Sequence, residues 1–265
     1  MPTPAIEFSE VTLIFDDVVA LERVSFRVDA GDSLVILGQA SSGKSVLLKL
    51  ALGLLQPDAG RIYLFGEQIS DMREDDLLPY RQQVGMVFQE SALFDSLSVF
   101  DNVAYPLLNR NSGAAPAPGE VEGRVREALR FVELEPAIDK LPSELSGGMR
   151  RRVAIARAIV NQPRLVLYDS PTAGLDPITA HTIVTLILKK RDTAGVTSLV
   201  VTHRLQNGHL LANFHYDPAT GEVARPCRSH TQFLVLRKGC VVFLGTQEEM
   251  ALQRDPYVVK FVMKQ

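Results

Sequence analysis

The spacing of apolar positions changes character along this chain, and each change predicts an element. In "AIEFSEVTLIF" apolar and polar residues alternate in part, and in "RVSFRV" they alternate well, the two-residue period of a strand. "SLVILG" is continuously apolar and stops at a glycine, which also predicts a strand. "GKSVLLKLALGLL" then takes helical spacing, and "GRIYLFG" returns to a strand. After "VGMVFQ", from about Phe100 to Val160, the signals are mainly helical, above all in "GEVEGRVREALRFVEL" and "GGMRRRVAIARAIV". "NRNSGAAPAPG" interrupts them with the composition of a loop. Strand signals come back in "RLVLYD", "SLVVTH" and "FLVLRKGCVVFLG". Strand, helix and strand, a helical insert, then helix and strand again predict an α/β core interrupted by an α-rich subdomain. No internal repeat is visible.

Composition narrows the function classes. The 265 residues suit one large domain or two closely joined ones, and 46% of them are hydrophobic, enough for a substantial core. A formal net charge of -3 gives no global attraction to nucleic acid or anionic lipid. "MPTPAIEFSE" lacks the basic start and apolar run of a signal peptide, and no apolar stretch approaches the ~20 residues of a spanning helix. Two cysteines without a CxxC pattern predict a reduced, cytosolic chain.

Two segments carry candidate chemistry. "GQASSGKS" fits GxxxxGK[ST] and lies between a predicted strand and a predicted helix, the setting of a phosphate-binding loop. Backbone N–H groups converge in such a loop, and the helix start adds partial positive charge. Gly38 and Gly43 permit the tight backbone, Lys44 neutralises β- and γ-phosphates, and Ser45 offers a hydroxyl to Mg²⁺. A chance Gly/Ser loop before a helix is the alternative, and the flanking pattern argues against it. Asp169, at the end of "RLVLY", places a carboxylate where Mg²⁺ can be held, often through water. The second segment is Leu145-Ser146-Gly147-Gly148, which presents hydroxyl and backbone donors at another helix start. An ordinary helix cap is the bland reading of that segment.

Taken together, these motifs resemble the nucleotide-binding subunit of an ABC transporter over essentially the whole chain, apart from about Asn207–His230. The resemblance implies an α/β fold, a P-loop NTPase (RecA-like) core with the ABC antiparallel β-subdomain and an α-helical subdomain. It implies a single ABC ATPase domain over 1–265: core and β-subdomain in 1–88 and 161–265, a helical subdomain in 89–160, and an inserted hairpin at 206–230. Gly38, Gln39, Ala40, Ser41, Ser42, Gly43, Lys44, Ser45 and Val46 would bind ATP, with Mg²⁺ held by Ser45, Gln89 and Asp169. Ser146, Gly147 and Gly148 would grip the γ-phosphate of ATP on a second subunit, a homodimer by preference, and Asp176 in "AGLDP" would lie at that interface. His203 matches the switch histidine and Gln89 the residue that senses Mg²⁺ and water where a membrane permease docks. Phe15 matches an adenine-stacking aromatic, though an aromatic in a strand is equally a core residue. The chain would sit on the cytoplasmic face of the membrane through the permease. Arg150, Arg151 and Arg152, without interleaved aromatics, read as a solvated face, so no nucleic-acid partner is expected.

The departures from the family pattern are Ser41 for a frequent glycine, Met149 for a frequent glutamine, and Ser170 where a glutamate handles the attacking water. Losing a positioned acid–base group costs about 10²–10⁴ in rate. Phosphoryl transfer draws most of its catalysis from positioning and charge, so slow hydrolysis is expected from Gln89, Asp169, Ser170 and His203, rather than none. Glu90 is a conceivable stand-in carboxylate. "FQESALFDSLSVFDNVAYPL", "GLDPIT" and "LSGGM" are similar to Mce/Mla-type lipid-transport ATPases, which implies lipid transport with a permease and an Mce-domain substrate-binding protein. A nucleotide-dependent clamp with little hydrolysis, and the ATPase of a small-solute importer, are the alternatives. "DPATG" predicts the turn of the inserted hairpin; His209, His215, Cys227 and His230 fall in that segment, but their irregular spacing favours a partner-binding or structural hairpin over zinc.

Overall fold

The computed structural model describes residues 3–109, 117–227 and 230–263. Most of the expected loop "NRNSGAAPAPG" lies outside them. The alternating segments form two long strands, β1 (Pro4–Phe15) and β2 (Val18–Asp29), paired antiparallel. The apolar run is β3 (Ser33–Gly38), buried along its whole length, and it leads through a short loop into helix α1 (Lys44–Ala51). Next come β4 (Ala59–Leu64), β5 (Glu67–Gln68), α2 (Glu74–Arg81) and β6 (Val84–Val87). The helical insert holds α3 (Val99–Leu108), α4 (Pro118–Phe131) and α5 (Gly147–Ile159). The chain then returns to the core with β7 (Leu165–Asp169), α6 (Pro177–Ala194) and β8 (Thr197–Val201). After α7 (Leu205–Asn213), β9 (His215–Asp217) and β10 (Glu222–Ala224), the "FLVLRKGCVVFLG" segment folds as β11 (Thr231–Arg237) and β12 (Cys240–Gly245) around a Lys238-Gly239 turn. Two short helices, α8 (Gln247–Ala251) and α9 (Pro256–Met263), complete the described chain.

Three sheets result among the described residues. The central one runs β12-β11-β3-β8-β7-β6, parallel except for the antiparallel edge strand β12. A four-stranded antiparallel sheet runs β2-β1-β4-β5, and β9 pairs with β10 alone. The two-residue period of the central strands divides the interior into two cores. Val35, Leu37, Val166, Tyr168, Val200, Phe233 and Val235 face the helical side, with α5 and α6. Leu34, Ile36, Leu165, Leu167, Leu199, Leu234 and Leu236 face α1 and the antiparallel sheet. Burial on both faces is what a parallel sheet requires, and it explains the uninterrupted apolar runs.

The expectation of one hairpin over 206–230 needs correction. Leu205–Asn213 is a helix, and only His215–Ala224 forms the hairpin, with its turn at the expected "DPATG". Leu205, Gly208 and Leu211 are buried, a three-residue spacing that suits a helix face and not the alternation of a strand arm. The four residues considered for zinc turn to different partners. His209 meets Gln247 and Asn213; His215 Nδ1 lies 2.7 Å from the Pro226 carbonyl; the Cys227 thiol faces the Leu211 carbonyl; His230 faces Asp32. Among the described residues no group of His, Cys, Asp and Glu is arranged to hold a metal.

The segment is fastened by a buried arginine. Arg191 of α6 is 2% exposed and donates to the carbonyls of Leu211 (2.7 Å) and Phe214 (2.8 Å) and to both Asp192 carboxylate oxygens. Asp192 in turn accepts from the Tyr216 backbone N–H at 2.7 Å. Substituting Arg191→Leu removes the charged donor shared by the Asp192 carboxylate and the Leu211 and Phe214 carbonyls. The expected loss of unfolding free energy is about 3–5 kcal/mol, read from urea denaturation midpoints at constant m-value.

Candidate functional site

Because the central strands are apolar on both faces, polar residues collect beyond their carboxyl ends. Gly38 ends β3, Gln89 follows β6, Asp169 ends β7, and His203 follows β8. These ends surround one cavity of about 600 Å³, whose walls include Gly38, Gln39, Ala40, Ser41, Lys44 and Ser45 together with Gln89, Asp169, Ser170 and His203. Most of the residues singled out from the sequence thus converge. An adjoining pocket of about 480 Å³ shares Ser41, Lys44 and Ser45, and adds Ser42, Gly43, Val46 and Phe15. Phe15 is 44% exposed on the tip of the β1–β2 hairpin, so it is a surface aromatic beside the loop and not part of the core.

The loop geometry follows from its residues. Gly43 holds φ 102°, and a Cβ there would lie 2.8 Å from the Ala20 carbonyl, so glycine is required on both counts. Ser41 holds φ 59°, the left-handed region that favours glycine. Lys44 is 8% exposed and donates to the carbonyls of Gly38 (2.9 Å) and Gln39 (2.6 Å) and to Ser42 Oγ (3.3 Å). Burial pushes its ammonium below the ordinary lysine range, and the Asp169 carboxylate partly offsets this. A desolvated cation at a helix start is arranged for an anionic ligand.

Ser45 Oγ donates to Asp169 Oδ2 at 2.9 Å, and Ser170 Oγ to Asp169 Oδ1 at 3.3 Å. Ser45 and Asp169 bring two hard oxygen donors together, and the Gln89 amide lines the same cavity, a donor set that fits Mg²⁺. Ser170 is 4% exposed, holds φ 49°, and donates its N–H to the Val201 carbonyl. Its hydroxyl is thereby turned to Asp169. Glu90 does not line the cavity, in keeping with adjacent side chains that diverge.

Ser146, Gly147 and Gly148 stand apart from the cavity, at the start of α5. Ser146 caps that helix by accepting from the Met149 N–H at 3.2 Å. Asp176 likewise caps α6, accepting from the Ile178 and Thr179 N–H groups, both at 3.0 Å, and from the Thr179 hydroxyl. These bonds hold its carboxyl below the usual range. The two helix starts are neighbours: a Cβ on Gly148 would lie 2.5 Å from Thr179 Cγ2.

The expected solvated face of three arginines is not formed. Arg150 is exposed, but Arg151 is 5% exposed and Arg152 donates to the Val132 carbonyl. Arg151 donates to the Phe88 carbonyl at 3.0 Å and reaches the Ala173 carbonyl at 3.5 Å, tying the segment before Gln89 to the loop after Ser170. Helical periodicity puts successive residues on different faces, so consecutive arginines cannot share one. The sequence reading also missed Leu205, Lys260 and Phe261, which complete the cavity wall. The apolar spacing of "YVVKFVM" signals a helix, but nothing local says where it docks.

With this geometry in hand, comparison with known proteins gives consistent results. The family model described as "ABC transporter" matches residues 21–173. The chain is similar to the methionine import ATP-binding protein MetN 1 of Staphylococcus epidermidis, 37% identical over 204 residues, covering 76% of this chain and 59% of that protein. It is also similar to the spermidine/putrescine import ATP-binding protein PotA of Pseudomonas aeruginosa, 37% identical over 215 residues, covering 81% and 56%. The chain therefore spans under two thirds of the length of these relatives. Among solved structures it resembles the ATP-binding cassette MJ0796 in a dimeric post-hydrolysis state bound to ADP and Pi. That match has TM-score 0.77 and 30% identity, covering 91% of this chain and 98% of that one.

A ligand that binds only the folded chain stabilises it. A magnesium–nucleoside triphosphate at 100 times its Kd is expected to raise the unfolding free energy by about 2.7 kcal/mol. Lys44→Ala is expected to abolish that rise, as measured by thermal denaturation with and without the ligand.

Proposed function

This chain belongs to the ABC transporter family of ATP-binding proteins, and on that premise we propose that it is the nucleotide-driven subunit of a membrane transporter. The observation that carries the reading is the gathering of the phosphate loop, Gln89, Asp169, Ser170 and His203 around one cavity, with the Ser146–Gly148 helix tip outside it. One chain cannot present both to the same nucleotide. A second copy brings its own tip, and two-fold pairing lets each chain complete the other's site. The dimeric state named for MJ0796 supports such an arrangement.

The substrate is ATP. Mg²⁺, when bound, would supply neutralisation of the phosphate charge. Ser45 and Asp169 would hold the ion with Gln89 beside them, Lys44 would balance phosphate charge, and the α1 start would provide backbone donors. Gln89 and His203 face the cavity where an attacking water is oriented. Ser170 is no base near neutral pH, and its hydroxyl is engaged with Asp169. Turnover is therefore slow and depends on positioning and charge.

A permease partner has a candidate seat. A groove of about 590 Å³ opens beside the segment leading to Gln89, lined by Phe88, Phe94, Tyr105, Arg157 and Asn161. Phe88, Phe94 and Tyr105 are each 40–41% exposed. Aromatics with a polar rim are the composition of an interface anchor. No helix among the described residues is long and apolar enough to cross a membrane, so on this reading the permease holds the chain at the cytoplasmic face.

For the cargo, the relatives named above are importers of methionine and of spermidine or putrescine, which supports a small-solute importer. Lipid transport with an Mce-domain partner rests on "LSGGM", "GLDPIT" and the segment after Gln89; the relatives lend it no support.

Two measurements test these readings. Ser170→Glu is expected to raise ATP turnover of the purified transporter about 10²-fold or more, with ATP affinity kept. Zero turnover in the unaltered assembly, with binding intact, would leave a clamp instead of a motor. Purification of the assembly from membranes, with identification of its bound cargo, is expected to yield a permease and a small solute. Phospholipid and an Mce-domain protein in its place would decide for lipid transport.

A further inference from the structure

The described chain ends in a helix that touches the nucleotide cavity. Lys260 and Phe261 of α9 line it together with Ser45, Gln89, Asp169, Ser170 and His203. They do not line the adjoining pocket of Phe15, so α9 lies at the end of the cavity away from that aromatic.

The placement is anchored at several points. Asp255 accepts from the Tyr257 N–H at 2.7 Å and pairs with Arg237 at 3.6 Å. The Arg237 guanidinium lies over the Tyr257 ring, 5.6 Å from its centroid. Val258 is fully buried in the core on the helical side of the sheet. The Tyr257 hydroxyl donates to the Leu236 carbonyl at 2.9 Å and accepts from the Gln39 N–H at 3.1 Å. Leu236 is paired in register with Gly38, so this hydroxyl bridges the end of β11 and the first turn of the phosphate loop. Phe261 packs edge-on to Tyr257, one helical turn away.

Charge makes the arrangement informative. Lys44 is enclosed and committed to three acceptors of its own loop. Lys260 is exposed and has no hydrogen-bond or ion-pair partner among the described residues, yet the anchors of α9 hold it at the cavity wall. We propose that Lys260 is a second phosphate-binding cation of this site, held by the Tyr257 anchor, and that it favours a nucleoside triphosphate over a diphosphate. A cation on the side of Gln89 and His203 meets the terminal phosphate, which the diphosphate lacks. The inference rests on the nucleotide reading of the cavity.

The test uses the full chain and measures its affinity for ATP and for ADP by calorimetry at fixed Mg²⁺. Lys260→Ala is expected to weaken ATP about fivefold while ADP changes less than about twofold, and Lys260→Arg is expected to keep the unaltered affinities. Tyr257→Phe keeps the ring packing but releases Leu236 and Gln39. It is expected to shift the ATP-to-ADP ratio in the same direction, a change that general loosening of the fold does not produce. ATP affinity of Lys260→Ala within about twofold of the unaltered chain overturns the proposal. Failure of the nucleotide reading looks different: the unaltered chain would then bind no ATP, or Lys44→Ala would bind it as tightly as the unaltered chain.

Discussion

A parallel strand buried on both faces has no side on which to display a polar side chain, and this constraint organises the molecule. β3, β7, β8 and β11 give alternate residues to two separate apolar cores. Polar groups that serve a ligand must therefore wait until each strand ends. The ends coincide because the strands are hydrogen-bonded in register: Gly38 pairs with Leu236, and Asp169 with Val201. Sheet packing, which is not itself chemical, thus aligns the phosphate loop, the Asp169 carboxylate and His203 around one cavity.

At that edge the electrostatics are poised. Lys44 is desolvated, kept charged in part by Asp169, and satisfied by carbonyls of its own loop. Asp169 also receives the hydroxyls of Ser45 and Ser170. A glutamate in place of Ser170 would bring a second carboxylate beside Asp169, whereas serine donates to it. The residue that departs from the family pattern thus fits its surroundings, in keeping with the slow turnover proposed above.

The helical insert makes its contribution through backbone contacts. Arg151 of α5 reaches the Phe88 and Ala173 carbonyls, and Arg157 reaches those of Ser91 and Ala92. Helix α5 is thereby fastened to the segment around Gln89 and to the groove proposed for the permease. Arg151 also links the backbone of Phe88, which lines that groove, to the loop after Ser170. Burial lowers both guanidinium groups from their ordinary range, a cost that the carbonyl contacts must offset.

The sequence by itself determined the glycine-bounded loop before α1, the strand–helix order around it, and the two helix starts at Lys44 and Gly147. Each is a local matter: strand period, glycine at forced torsions, a cap residue before a helix. It misjudged the segment after His203, where α7 replaces a strand arm, because a short apolar run does not distinguish the two until Leu205 and Leu211 find the core. It misjudged Arg151 as solvated, since burial of a charged residue depends on carbonyls 63 and 22 positions away. Only the tertiary structure brought α9 back to the cavity, through a tyrosine hydroxyl 218 residues from the N–H it receives. Contacts of that separation are decided by how the two cores close, and no local pattern of residues encodes them.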